Sequence, residues 1–357
     1  MTKRECVQMR FLPGQNFECS GCTKCCRGWR IRVDEASRPE LERFQGVQKS
    51  DGRYFTKKKA DGSCVFLSDD QRCSVHAIKP VGCRQFPFRF CRTPDGIFVG
   101  VSFYCSSVQR NQGTPIESHA PQLQEFLDEL PLIGGDPILL EEGVYLGWDG
   151  YRILDQFLAD QLLEKSIDVA IGRALWALCR LHLEGAPQAS AERLRRLLCE
   201  SESVLQPPSE PFVAFQRHHA CILFAKAEAV PLQRLQSNRS THFRGLAGPL
   251  RLSELDDSAD ESVLRRYLQA LVFRKFLIVR RPLLHNLAAL YLVRRVFHWW
   301  AGLSRAGRSP GESASWQAVD YEKALDQCEY RVLTHGAGYD ELFRLAAADF
   351  RWVASGK

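Results

Sequence analysis

The chain has 357 residues, of which 45% are hydrophobic and 25% charged, with a formal net charge of +6. Those fractions are globular ones, so they exclude a disordered or fibrous chain, and the length leaves room for one large domain or two ordinary ones. Cysteine and charge are unevenly spread: ten of the fourteen cysteines lie in the first 105 residues, and residues 1–118 hold 20 Lys/Arg against 12 Asp/Glu, a net of +8, while the rest holds 28 against 30, a net of −2.

Met1-Thr-Lys-Arg-Glu-Cys6 leads into polar sequence without an apolar signal region, so a cytoplasmic location is expected. In a reducing compartment clustered thiols bind metal or do redox work and seldom form structural disulfides. The run Cys19-Ser-Gly-Cys22-Thr-Lys-Cys25-Cys26 places four thiols in eight residues. Trp29, Ile31 and Val33 alternate with Arg30 and Arg32, which predicts a half-buried strand. Ser37-Arg-Pro39-Glu40 fits a capping box opening a short helix to about Phe44, and Gln48–Asp61, with Lys57-Lys58-Lys59, reads as an exposed basic loop.

Two hairpins are then predicted. Cys64–Leu67 and Arg72–Val75 flank a Ser-Asp-Asp-Gln turn; Phe86, Phe88 and Phe90 alternate up to the Pro94-Asp-Gly96 turn, and Ile97, Val99, Val101 and Phe103 alternate on the return, with Cys105 on the same parity. From about residue 119 the pattern is helical. Ile153, Leu154, Phe157, Leu158 and Leu162 share one helix face, Ser166 is an N-cap, Gly185 and Pro187 mark a stop, and Ser190 and Ser209 start two more helices. Residues 235–261 read as a long loop. Strongly apolar helices at about 262–279 and 283–303 follow, and a closing helix pair turns at His335-Gly-Ala-Gly338. The longest uncharged apolar stretch here, Pro282 to Val293, is shorter than the ~20 residues a membrane-spanning helix needs. The expected fold class is α+β: a small Cys-rich, metal-bound β-hairpin domain over 1–118, followed by an all-α helical domain over 119–357.

Four thiolates suit a tetrahedral structural zinc site, and also an iron–sulfur cluster. The spacing of Cys19, Cys22 and Cys25 is ferredoxin-like and tilts towards iron–sulfur. Adjacent side chains point apart in extended backbone, so Cys25 and Cys26 are expected to serve two sites. With Cys64, Cys73, Cys83 and Cys105 the count reaches eight thiols, two four-thiolate centres. Two such centres of −2 each would bring the +8 of this region to about +4, a local reason for its excess Lys and Arg. Cys179, Cys199, Cys221 and Cys328 fall in helical segments and read as small core residues. Cys6 and Cys91 stay unassigned, and His76 reads as hydrogen-bonding support for a site.

Phe17-x-Cys19-x2-Cys22-x2-Cys25-Cys26, then Cys64-x-Phe-Leu, then Cys73-x2-His76-x3-Pro80-x2-Cys83-Arg84-x-Phe86-Pro87 resembles the YkgJ-type cysteine-cluster family, described as zinc- or iron-chelating. The resemblance covers residues 17–105 and implies a metal or iron–sulfur site on the same eight cysteines; Lys79 stands where that family usually has arginine. Cys25-Cys-Arg-Gly-Trp29-x-Ile-x-Val-Asp34, with a long helical part behind it, is also similar to flagellin lysine methylases. That second likeness implies methyl transfer from S-adenosylmethionine to protein lysine, and it carries over no catalytic residue.

Against the enzyme class, no strand, Gly-rich turn and helix make a Rossmann site, and the C-x3-C-x2-C pattern of radical S-adenosylmethionine chemistry is missing. His218-His219 reads as core or polar edge. The remaining classes are a redox or cluster module whose helical part docks a protein partner, and a zinc-stapled protein or nucleic-acid binding module. The arginine pairs 265–266, 280–281 and 294–295 are the candidate basic stripe for the last, but the net acidity of that half argues against nucleic acid.

Overall fold

The computed structural model describes residues 8–127, 130–204, 219, 240–242, 249–251, 260–307, 315–333 and 339–355. The fold is α+β, a β-rich cysteine-bearing region followed by a mostly helical one. Two compact units divide the chain, one from Met1–Phe90 and Val99–Leu130, the other from Cys91–Phe98 and Pro131–Lys357.

In the first unit the elements run β1 (Met9–Phe11), β2 (Asn16–Phe17), α1 (Lys24–Gly28), α2 (Arg38–Arg43), β3 (Val47–Ser50), β4 (Arg53–Thr56), α3 (Val81–Gln85), β5 (Phe88–Thr93), β6 (Gly96–Val101), α4 (Ser106–Gln109), β7 (Thr114–Pro115) and α5 (Ala120–Leu123); the β5–β6 turn is counted with the second unit. β1, β6 and β5 form one sheet in that order, and β2–β7 and β3–β4 are two-stranded. The predicted hairpin at 86–103 is present. Phe88, Ile97, Val99, Val101 and Phe103 are buried in it, and so are Cys91 and Phe98 of the opposite parity.

The basic loop expected over 48–61 is instead the β3–β4 hairpin. Asp51 and Gly52 both take positive φ, 49° and 74°, the pairing that a two-residue hairpin turn with the right twist demands. The strand expected at 29–33 shrinks to one bridge, Arg32 to Phe55, flanked by Val33 N–H donating to Tyr54 O at 2.8 Å and Thr56 N–H to Ile31 O at 2.9 Å. The first predicted hairpin is likewise a tight turn, with one bridge between Leu67 and Cys73. At α2 the expected capping box does not form: the Ser37 hydroxyl donates to Asp34 rather than capping the helix. Val33, Leu41, Phe66 and Val75 make a small core, and Cys64 and Cys73 pack on its edge.

The second unit holds β8 (Ile138–Glu141), β9 (Val144–Leu146), α6 (Trp148–Glu164), α7 (Ile167–Leu183), β10 (Gln188–Ala189), α8 (Ala191–Val204), β11 (Ser240–His242), β12 (Pro249–Arg251), α9 (Ser262–Phe273), α10 (Leu283–Ala306), α11 (Ala318–Asp326), a π-helical turn over Gln327–Leu333, and α12 (Asp340–Ala354). It is therefore not purely helical. β8 pairs antiparallel with β9, which pairs parallel with β10, and β11–β12 is a two-stranded antiparallel pair inside the stretch expected to be loop. Ser166 caps α7 as expected, its hydroxyl accepting from Val169 N–H at 3.3 Å. α10 runs among α7, α11 and α12, with Leu287, Leu290, Val293 and Phe297 fully buried. No helix among the described residues is long and apolar enough to cross a membrane.

The arginine pairs do not form a free basic stripe. Arg265 donates to the carbonyls of Leu162 and Lys165, Arg280 and Arg281 both bind Asp340, and Arg294 binds Asp168 and Glu261. The Ser209 helix start and the turn at His335–Gly338 lie outside the described residues.

Candidate metal centre

The backbone from Glu18 to Thr23 is irregular. Gly21 and Thr23 turn it with φ of 67° and 59°, and Thr23 opens α1. Cys25 and Cys26 are thus helical neighbours, about 100° apart around the axis, rather than on opposite sides of an extended strand. Their sulfurs share a hydrogen bond. It raises the Cys25 thiol, as burial and the thiolates of Cys26, Cys19 and Cys83 also do. The same bond lowers Cys26 against burial, helped by Lys79, Lys58 and Arg27.

Two flanks hold α1. On one side Gly28 lies against Tyr104, close enough that a Cβ there would sit 2.3 Å from the phenolic oxygen. Trp29 packs on Tyr104 in a tilted arrangement with ring centres 4.5 Å apart and meets Phe86 edge-on at 5.3 Å, and Ser107 Oγ donates to Ser20 Oγ at 3.0 Å. These contacts bring Cys105, the buried residue that opens α4, up to the Cys19–Cys25 run. Burial pushes the Cys105 thiol up and the nearby Cys22 and Cys19 add to it, while the N–H groups of Val108 and Ser107 point at the sulfur and work the other way.

On the other flank Cys64 N–H donates to Cys26 O at 2.8 Å, and Lys58 Nζ to the same carbonyl at 3.0 Å. Arg27 donates to Gln71 Oε1 at 2.9 Å and so reaches the turn that ends at Cys73. Asp34 accepts from Val81 N–H at 2.8 Å, fixing the start of α3 and with it Cys83. Burial pushes Cys83 up to about 12, and the thiolates of Cys64, Cys26 and Cys73 contribute. Cys73 rises for the same first reason, opposed by Val75 N–H and Lys79.

The cysteines therefore lie on both flanks of α1, Cys19 and Cys22 near Cys105 on one and Cys26, Cys64 and Cys73 near Cys83 on the other, with Cys25 neighbouring Cys19 as well as Cys26 and Cys83. Cys19 and Cys22 are exposed and Cys105 is buried; the other five are half-buried. The donor chemistry is that of thiolate metal sites: clustered thiols whose mutual repulsion a cation would relieve. As they stand, no three His, Cys, Asp or Glu side chains among the described residues are drawn in tightly enough to grip an ion.

Sequence reasoning missed the supports. Lys58 and Lys59 reach main-chain carbonyls at Cys26 and Leu67 rather than waving in solvent; the Asp-Gly pair at 51–52 was the signal that their neighbourhood is folded. His76 is exposed and contributes its backbone N–H to Cys73 O at 3.2 Å. Cys91 is buried in the second unit, with its thiol pushed by burial to about 11. Cys179 and Cys328 are buried core residues, whereas Cys199 is exposed. Cys6, Cys221 and His218 lie outside the described residues, and His219 binds Asp349 at 3.0 Å.

Residues 18–109 match the CxxCxxCC family model, described as "Putative zinc- or iron-chelating domain". The cysteine-cluster resemblance is thereby borne out over that span, and metal chelation is supported in general terms, without a choice between zinc and iron. No curated protein matches the chain, and no solved structure does. The likeness to flagellin lysine methylases finds no support in these comparisons.

Proposed function

We propose that the first unit chelates zinc or iron through Cys19, Cys22, Cys25, Cys26, Cys64, Cys73, Cys83 and Cys105. The carrying observation is that all eight fall within the matched residues 18–109; the five-residue helix that bears Cys25 and Cys26 also bonds through Cys26 O to Cys64 N–H and packs through Gly28 on Tyr104, next to Cys105. Bound metal would take thiolates from these eight, displace their protons and draw the loosely gathered sulfurs into closed coordination. The ferredoxin-like run Cys19-x2-Cys22-x2-Cys25 favours iron–sulfur.

Methyl transfer is the weaker reading. The residues that carried that likeness have structural work to do: Gly28 and Trp29 pack on Tyr104, Val33 is core, and Asp34 anchors α3. A shared scaffold explains them without a reaction. In this proposal the helical unit is the place for a protein partner or substrate, and a cytoplasmic setting suits free thiols.

Anaerobic purification followed by iron, zinc and acid-labile sulfide analysis, with a visible spectrum, tests the reading. Stoichiometric metal that is lost when the eight cysteines are replaced is expected, with sulfide and a brown colour if a cluster is present. A colourless protein with zinc and no sulfide would overturn the iron–sulfur preference; a metal-free protein that takes up neither ion would overturn chelation itself.

A further inference from the structure

We propose that the outer face of the β3–β4 hairpin binds single-stranded nucleic acid, with Arg30, Arg32 and Arg53 on phosphates and Phe55 with Arg30 as the surface on which a base stacks. Such a site goes beyond metal chelation and rests on different residues.

The register sorts the side chains of this small sheet onto two faces. Val47 and Tyr54 pack with Val33 on the core, so their neighbours along each strand point the other way. On β4 those neighbours are Arg53 and Phe55. Gln48 of β3 stands opposite Phe55 on one side, and Arg32 is bridged to Phe55 on the other. Residues directly opposite on neighbouring strands share a face. Gln48, Phe55 and Arg32 therefore make one row across the outer face, with Arg53 beside it. Arg30 joins them, its guanidinium 5.2 Å from the centre of the Phe55 ring.

The charge on this face is not spent inside the protein. Residues 24–59 hold 11 Lys/Arg against 5 Asp/Glu. Lys79, Lys58 and Arg27 act on Cys26, and Arg38 is paired with Glu35 and Glu42. Arg30, Arg32 and Arg53 are exposed, and none of them has an ion pair among the described residues. Asp51, the one carboxylate of the hairpin, sits in its turn and accepts from Ser50 Oγ at 3.2 Å. In the second unit Arg280, Arg281 and Arg294 differ, each being held by a carboxylate.

Three guanidinium groups around an aromatic ring match a phosphate chain that also carries bases. An acidic peptide would use the charges and leave the ring without a role. A duplex hides its base faces in its own stack, whereas an unpaired base can lie on an aromatic ring or on a guanidinium plane. The Gln48 amide, beside Phe55, can then reach the edge of the stacked base.

The test uses the full-length protein, purified anaerobically with the metal it carries, and the anisotropy of fluorescein-labelled RNA and DNA strands of about 12 nucleotides. Either strand should bind more tightly than the duplex of the same sequence, and the preferred sugar identifies the source. The logarithm of affinity should fall with the logarithm of salt at a slope of about −2 for three phosphates met. Arg32→Gln and Arg53→Gln should each weaken binding and make that slope shallower by about 0.7. Phe55→Leu should weaken binding at least about fivefold with the slope unchanged. Arg195→Gln, on an exposed part of α8, should change neither. Metal content and circular dichroism separate loss of binding from loss of fold, and the two exposed arginine variants carry the test if Phe55→Leu misfolds. No binding of either strand at about 100 µM protein would overturn the proposal. So would equal binding of the duplex, displacement by polyglutamate as effective per charge as by oligonucleotide, or unchanged affinity in Arg32→Gln and Arg53→Gln.

Discussion

Lys275 shows how a single side chain is committed in the second unit. It is only 4% exposed, takes a left-handed φ of 60°, and donates to Asp155 at 2.6 Å while lying 3.9 Å from the centre of the Phe98 ring. Burial raises the Asp155 carboxyl, and Lys275 opposes that by charge and hydrogen bond. Two desolvated ions that stabilise chiefly each other make each single replacement costly, because the partner is stranded. Lys275→Met alone should destabilise by about 3 kcal/mol, and Asp155→Leu alone by a similar amount. Lys275→Met with Asp155→Leu should cost clearly less than the sum, leaving a coupling of about 1–3 kcal/mol in denaturant unfolding. Additive losses would show that the pair is not a unit.

Among the elements, the stretch between α9 and α10 depends on one residue of the following helix. Arg281 N–H donates to Val279 O at 2.9 Å with Arg280 at φ of 75°, a three-residue turn of the strained hand. Asn286, fully buried in the first turns of α10, points its amide at the carbonyls of Phe276, Leu277 and Val279 at 3.3, 2.9 and 3.1 Å and accepts from Arg281. Asn286→Leu removes the donor from several buried carbonyls at once and should lower unfolding stability by about 2–4 kcal/mol, measured by denaturant titration. Nothing in the sequence pattern marks this clamp, since one Asn in an apolar run reads as an interruption of the helix. The legible elements were those whose period is carried by large side chains, such as Leu154, Leu158 and Leu162 on α6 or Val99 and Val101 on β6, all buried as expected. The β8–β9 pair was missed although Ile138 and Leu140 point inward with Leu139 between them outward; two short strands give too few alternations to outweigh a helical neighbourhood. At the site, the eight cysteines were legible because thiols at that density have few other uses. Their placement around α1 was not legible, because it depends on Gly28 meeting Tyr104 and Cys64 meeting Cys26, contacts between residues far apart in sequence.

On the scale of the whole chain, the two units draw their stability from different sources. The second is built on long helices, and α7 and α10 bury leucine, valine and aromatic side chains almost along their full length. The first has short helices of four to six residues and strands of two to six, so neither local propensity nor a large core holds it. Anything that binds its folded form stabilises that form by mass action, and a thiolate-bound ion is the strongest such ligand its sequence offers. Stripping metal with a chelator under reducing conditions should therefore split thermal unfolding into two transitions, with a first that moves down by many degrees and a second that stays in place. Far-UV circular dichroism should report little loss of helix in the first transition, because most of the helix lies in the second unit, while tryptophan fluorescence from Trp29, which packs on Tyr104 beside the cysteines, should change with it. Readdition of zinc or iron should restore the first transition. If stripping left both transitions unmoved, the metal would be a passenger on a unit that folds without it.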